Sequence, residues 1–357
     1  NSHKVIHNLL ERIEGLAKNK KHTFKGLKMG NVENDDTFFD GKFVKTEKNE
    51  KHFINQLKDD KTLLYAGTKY HLSQKYYQNK LDYLFVDEAS QISVADLVAL
   101  GGIAKNIILV GDNAQLSQPV KGNHPGESGK SVLDYLLQGK DTILDSHGVF
   151  LKKTYRLHPN LNDFISENFY ENRLLINEKN INRKIDYKKS SIIQSEGIHT
   201  ILMKHEDRSQ TSLEEFETVK KLMDQLIGSK FRDFDNSERK ISVNDILVVS
   251  PFNAQVNFLK SRLHKDAKIG TIDKFQGMEA PITIISMTSS SVEDLPRNKK
   301  FFFNRNRLNV AISRAQCSSI ILMNPKLLEA PPSDYDEFKL LNYFQKLMKF
   351  ERKIAIN

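Results

Sequence analysis

The sequence predicts an α/β chain of two domains, each carrying parallel strands. Two observations within residues 81–116 lead to this reading. Residues 83–86 and 107–110 are short apolar runs of the kind that form fully buried parallel strands. Between them Val94, Leu97, Val98 and Leu100 recur at helical spacing. A strand, a helix and a strand in that order make a right-handed crossover, the unit of a parallel sheet. A second alternation of strand and helix signals begins at Ile198, and a length of 357 residues suggests two domains.

The elements follow in order. Ser2 is a candidate N-cap for a helix through residue 17, with Val5, Leu9, Ile13 and Leu16 as its apolar stripe. Residues 18–61 are Lys-rich and weakly periodic, an expected irregular excursion with a small hairpin at 38–44. Residues 62–66 read as a strand ending in Gly67-Thr68, with a helix through 74–77. After Gln118-Pro119 a helix begins at 132, and a strand at 149–151 leads into Thr154-Tyr155-Arg156. Pro159 opens a helix with Leu161, Phe164, Ile165 and Phe169 on its buried face. The composition turns rich in Lys and Asn at 171–197. The first domain is therefore expected over 1–175, a linker over 176–196 and the second domain over 197–357.

In the second half, strands are expected at 198–203, 245–250, 282–287 and 319–323. Ser212-Leu213-Glu214-Glu215 reads as a capping box opening a helix that Gly228 closes. Further helices are expected after residue 251, over 304–315, and at the C-terminus through Phe338, Leu341, Phe344 and Met348.

Composition narrows the function. A single cysteine, Cys317, excludes a disulfide framework and a Cys-rich zinc site and suits a reducing, cytoplasmic setting. No apolar run is long enough to span a bilayer. A net charge of +9 serves solubility or points to nucleic acid as partner.

The chemistry concentrates at strand ends, where ligands of parallel sheets bind. The first apolar run ends in Asp87-Glu88, the second in Gly111-Asp112-Asn113-Ala114-Gln115. Taken alone, an Asp-Glu pair is as readily a solvated strand end as a site. Two such ends one crossover apart suit ATP hydrolysis, with Asp87 holding Mg²⁺, Glu88 taking a proton from water and Gln115 sensing the γ-phosphate. Tyr155 offers a face on which a purine can stack, and Arg156 a fork for phosphate. The run 126–131, GESGKS, lacks the spacing of a phosphate loop and follows no strand.

Six segments carry a resemblance. These are DEAS from Asp87, GDNAQL from Gly111, TYRLHP from Thr154, ILVVSPFNAQ from Ile246, IGTIDKFQGMEA from Ile269 and NRLNVAISRAQ from Asn306. In that order they resemble motifs II to VI of superfamily-one helicases of the Upf-type branch. From Val110 onward the chain resembles more specifically microbial proteins in which a RecB-like nuclease precedes such a helicase. The resemblance runs from Ser2 to about Met323.

It implies two RecA-like domains of the P-loop NTPase type. ATP would be hydrolysed between them, driving movement along single-stranded nucleic acid, DNA in preference to RNA, in the 5′ to 3′ direction. Asp87, Glu88, Gln115, Arg156 and Arg314 are the implied catalytic residues, with Asp87 the Mg²⁺ ligand and Arg314 the arginine finger. Tyr155, Gln276, Glu279 and Arg307 would hold the nucleotide, and Ser2, His3, Thr68, Pro251, Phe252 and Thr271 would touch the strand. Asp273 is alternatively a helix cap, Phe275 a core residue, and Arg307 the partner of an acid. The Walker A loop and first strand are not in the sequence, so that segment is expected within about 40 residues upstream. The chain by itself is expected to bind and hydrolyse ATP weakly. The rival reading is a nucleic-acid-binding scaffold with a decayed ATPase site, attached to a nuclease.

Overall fold

The computed structural model describes residues 2–58, 61–117, 122, 124–193, 195–296, 299–329, 331–350 and 354–355. Gln118 and Pro119 lie outside them. The fold is α/β with parallel sheets, and the chain divides into two compact units. One comprises residues 1–113 with 117–139, the other residues 114–116 with 140–357.

The first unit opens with helix α1 (His3–Asn19), capped by Ser2, whose Oγ accepts from Val5 N. The helix buries Leu10, Glu14 and Ala17 rather than the expected stripe, and Leu9 and Leu16 are exposed. The cause is Glu14. Its carboxylate turns inward to accept from the backbone N–H groups of Lys42, Phe43 and Val44 at 2.7, 2.7 and 2.9 Å. Gly41 permits this, because a Cβ there would sit 2.0 Å from Glu14 Oε1.

Residues 18–61 are integral to the sheet, contrary to the expected excursion. Strand β1 (Gly26–Met29) lies between β2 (Val44–Glu47) and β3 (Leu64–Ala66), all parallel, with helix α2 (Glu50–Leu57) between β2 and β3 in sequence. Of the expected hairpin only the antiparallel bridge Asp40–Lys45 forms. A short helix α3 (Lys69–Leu72) precedes β4 (Leu81–Val86), α4 (Val94–Gly101) and β5 (Ala104–Leu109), the expected crossover, and α5 (Val132–Leu137) follows. Of the two strands of the crossover, β4 is buried on one face, and in β5 both Ile107 and Ile108 are exposed. Leu84 and Val86 join Leu100 and Ile103 in the core, while Tyr83, Phe85 (61% exposed) and Ile108 face outward.

Beside α1, the Lys28 ammonium is fully buried. It donates to Thr37 O and to Met29 O (3.4 Å) and lies 3.2 Å from His3 Nδ1. Burial pulls its pKa down to about 8. In the unfolded chain the group titrates near 10.5, so between these values the unfolded state binds more protons and stability rises with pH. Lys28→Met is expected to remove this rise, as read by urea midpoints at pH 8 and pH 10. An unchanged slope would contradict the assignment.

The second unit is organised on one parallel sheet. It begins with β6 (Lys153–Thr154), paired to β7 (Leu175–Ile176), with α6 (Pro159–Phe169) between them in sequence. Residues 149–151, expected as the strand, precede β6, and Val149 and Leu151 are exposed. Strands β8 (Lys184–Asp186), β10 (Lys230–Arg232) and β11 (Glu238–Lys240) form a small antiparallel sheet. Between β8 and β10 in sequence come β9 (Gly197–Leu202) and α7 (Leu213–Leu226). Then follow β12 (Ile246–Val249), α8 (Asn253–Lys260), β13 (Lys268–Gly270), β14 (Ala280–Ser286), α9 (Lys299–Phe302), α10 (Arg305–Ser313), β15 (Ala315–Met323), α11 (Tyr335–Phe350) and β16 (Ile354–Ala355). The six-stranded sheet runs β13-β12-β14-β15-β9-β16, all parallel.

Here the apolar runs are buried on both faces, as expected of a parallel sheet with helices on each side. Leu247, Val249, Ile285 and Ile321 enter one apolar cluster, and Ile246, Val248, Ile284 and Ile320 the other. Packing sets the division between units away from 176–196. The α6 face Leu161, Phe164, Ile165 and Phe169 shares the cluster of Leu247 and Ile321, so residues 140–175 belong with the second unit. In α11, Leu341 and Phe344 are buried and Phe338 is exposed.

Candidate functional site

In the first unit the acids stand at the carboxyl end of β4. Asp87 is half-buried, and its Oδ1 accepts from Glu88 N at 2.9 Å. Glu88 adopts the left-handed conformation, φ +54° and ψ +48°, which is sparsely used by residues other than glycine and marks functional turns. The parallel chain end closes tightly against it. Ala89 N donates to Val110 O at 2.9 Å, and a Cβ on Gly111 would meet Ala89 N at 2.8 Å. The glycine of GDNAQL is therefore required by the acidic turn beside it. One half-buried carboxylate suits Mg²⁺, an ion that takes one or two protein carboxylates and completes its shell with water and substrate phosphates.

Gln115 belongs with the second unit, where its backbone O accepts from Asn306 Nδ2 at 2.8 Å and the neighbouring Ala114 O from Asn309 Nδ2 at 2.9 Å. Helix α10 thereby holds the end of the GDNAQ segment.

The second unit gathers four predicted residues far apart in sequence. Tyr155 follows β6 with its ring 68% exposed. Arg156 Nε donates to Glu279 Oε2 at 2.5 Å and its Nη1 to Ser313 O at 3.2 Å. Gln316 Nε2 donates to the other Glu279 oxygen at 2.9 Å. Burial pushes the Glu279 carboxyl up, but the bond and charge of Arg156, with Gln316, outweigh it and hold the group below the usual carboxylate range.

Arg314 follows Ser313 directly. Its side chain is withdrawn rather than offered, 2% exposed, with Nε on Val310 O and Nη1 on Met278 O, each at 3.2 Å. The guanidinium thus braces the carbonyl next to Glu279. Gln276 Nε2 is buried without a partner, an orphan donor of the kind a ligand satisfies. Arg307 pairs with Asp273 at 3.1 Å and stacks on Phe301, so its partner here is an acid. Asp273 serves that pair while Thr271 takes the N-cap position, and Phe275 is core.

The strand-contact candidates divide by exposure. Thr68 and Thr271 occupy N-cap positions of short helical turns without making capping bonds. Pro251 is half-buried at the end of β12. Phe252 is 5% exposed with its ring stacked on Phe302, so the aromatic face is spent in the core and cannot receive a base. Ser2 caps α1, and His3 lies against Lys28.

Two positioning residues lay unmarked in the expected linker. Arg183, 3% exposed, donates to the carbonyls of Tyr155 (3.1 Å) and Arg156 and is anchored by Asp233 at 2.8 Å. Asn180 Nδ2 reaches Thr154 O and Leu157 O. Together they shape the Tyr155-Arg156 turn. Neither has a periodicity or motif that sequence reading can find.

The family model AAA_12, described as an AAA domain, matches residues 129–326. The protein mov-10-B.1 of Danio rerio is 29% identical over 75% of this chain, and the DNA replication ATP-dependent helicase/nuclease dna2 of Schizosaccharomyces pombe is 26% identical over 69%. The regulator of nonsense transcripts 1 homolog of Arabidopsis thaliana is 26% identical over 75%. The chain spans 29%, 19% and 23% of the length of these three relatives. Among the described residues no helix is long and apolar enough to cross a membrane.

Proposed function

Because the chain belongs to the AAA_12 family of AAA domains and is a superfamily-one helicase sequence, we propose that it serves ATP-driven translocation along single-stranded nucleic acid, DNA before RNA, in the 5′ to 3′ direction. One observation carries the nucleotide half of this reading. Arg156, next to the exposed Tyr155, meets Glu279 from 123 residues away in one unit, Arg314 bonds the carbonyl before Glu279, and Gln276, three residues earlier, carries an orphan amide.

Each residue has a task. Tyr155 stacks the base, and Glu279 and Gln276 bind the sugar. Arg156 releases Glu279 to take a phosphate oxygen, an exchange of one charged partner for another. Asp87 holds Mg²⁺, which supplies positive charge at the phosphates. Glu88 orients water and accepts its proton, and Gln115 contacts the γ-phosphate. Arg314 stabilises the charge that develops there. A nuclease domain elsewhere in the same protein is the proposed partner.

The test is a strand titration. Binding is expected to favour single strands over blunt duplex, to be insensitive to base sequence, and to weaken with a log–log salt slope of roughly −0.7 per phosphate contacted. Salt-independent binding, or preference for the blunt duplex, would sink the reading.

A further inference from the structure

Glu215 does not do what its sequence position suggests. Ser212 Oγ accepts from Glu215 N at 3.1 Å, half of the expected capping box, but the return bond is missing. Ser212 N donates instead to Gln255 Oε1, and the Glu215 carboxylate turns into the protein, 0% exposed. There it accepts from Ser286 Oγ at 2.5 Å and Thr288 N at 2.9 Å, with His205 Nε2 at 3.3 Å. His205 Nδ1 in turn lies 2.7 Å from Ser290 Oγ, which accepts from Arg208 N. Burial raises the carboxyl, so the fold keeps a costly acid where an apolar side chain would pack more cheaply.

The residue it grips is strained. Thr288, fully buried, has φ +75°. A β-branched residue at positive φ is a marked outlier that persists only where its surroundings over-determine it. Thr288 follows β14 at the carboxyl edge of the sheet, beside the ends of β12 and β13. Its Oγ1 lies 3.3 Å from Ser250 Oγ, Ser250 N donates to Gly270 O at 3.2 Å, and Ser250 Oγ accepts from Phe252 N at 3.4 Å. The turn at Thr288 is thus joined through Ser250 to Pro251 on one side and to Gly270-Thr271 on the other.

We propose that Glu215 is a positioning residue for strand binding: its buried carboxylate holds Thr288 in the left-handed conformation, and that turn sets the place of Pro251 and Thr271 against the nucleic-acid backbone. The proposal rests on the strand-binding reading above.

The experiment measures affinity of the protein for a labelled oligothymidylate, without nucleotide and well below the unfolding transition. Far-UV circular dichroism checks the fold of each variant. Glu215→Gln keeps the size and loses the charge, and is expected to weaken binding roughly tenfold. Thr288→Ser keeps the Oγ that meets Ser250 and loses the branch that makes positive φ costly, so it should bind within about twofold of wild type alone, and should bring Glu215→Gln back towards that level in the double variant. A purely structural glutamate would lower the unfolding temperature without moving strand affinity, and Thr288→Ser would not rescue it.

The proposal is overturned if folded Glu215→Gln binds as wild type, if Thr288→Ser alone binds weakly, or if the double variant binds no better than Glu215→Gln. Should Glu215→Gln not fold, the double variant decides. Folded and binding supports the proposal, while unfolded, or folded without binding, overturns it. Failure of the wild-type protein to bind oligothymidylate would strike the helicase reading itself.

Discussion

In a protein that carries this chain together with a Walker A loop, Arg314→Ala is expected to lower ATP turnover at saturating strand and nucleotide by about 10³- to 10⁵-fold, the range for arginines that meet charge only in the transition state. Ten-to-the-third corresponds to about 4 kcal/mol of barrier. Without nucleotide the guanidinium occupies Val310 O and Met278 O, and 3.2 Å to each is toward the long end for a charged donor. Exchanging two carbonyls for a phosphate is therefore favourable once a phosphate is present. The substitution also leaves those carbonyls short of a donor, at a cost of about 1–3 kcal/mol of stability, so turnover is compared on folded protein.

The kinetic signature separates two roles. An arginine that only braces Met278 would act through Glu279 on nucleotide binding and raise KM. One that meets the γ-phosphate acts on kcat. Arg314→Lys should rescue poorly, since a point charge lacks the planar fork. Turnover surviving within about tenfold, with KM raised, would assign the brace alone.

Glu88→Gln is expected to reduce turnover by about 10²- to 10⁴-fold, the usual contribution of a positioned general base. The amide keeps the size of the side chain and the turn at φ +54° but cannot take a proton. Strand affinity and nucleotide KM should stay near wild type, because nothing that binds either is removed. A variant that loses strand binding in parallel with turnover would show Glu88 to be a structural member of the turn. A variant with unimpaired turnover would remove it from the chemistry.

The candidate site residues could be named from the sequence because the motifs that suggest them are local. Asp87-Glu88, Tyr155-Arg156 before a proline-led helix, and Gln276 to Glu279 are each short; the first two follow strand ends, where a parallel sheet presents ligands, and the third leads into the amino end of β14. Their partners were not legible. That Arg156 meets Glu279, 123 residues away, and that Arg183 shapes the turn between Tyr155 and Leu157, depend on which elements become neighbours. No spacing along the chain encodes that.

Periodicity similarly predicted elements better than faces. The α6 stripe was right in every position, because four apolar residues leave a helix one way to turn. In α1, buried Glu14 overrode a weaker stripe, since three backbone N–H groups of 42–44 needed an acceptor. Strands β1 and β2, four residues each with lysines among them, carry too short a pattern to stand out from a loop.

The alternation of helices and strands outside residues 18–61 and the small sheet of β8, β10 and β11, with the parallel α/β character and the acidic and basic residues at strand ends, was determined by the sequence itself, since hydrophobic period and turn chemistry act over a few residues. Burial was decided only in three dimensions. The run 246–249 and the run 83–86 read alike, yet the first is buried on both faces and the second on one. The reason is that burial belongs to a strand's neighbours as much as to its own side chains. The same holds for Glu215, whose carboxylate was free to close a capping box and instead holds Thr288, because a strained backbone N–H in the interior is a stronger claimant than a cap that water can also satisfy.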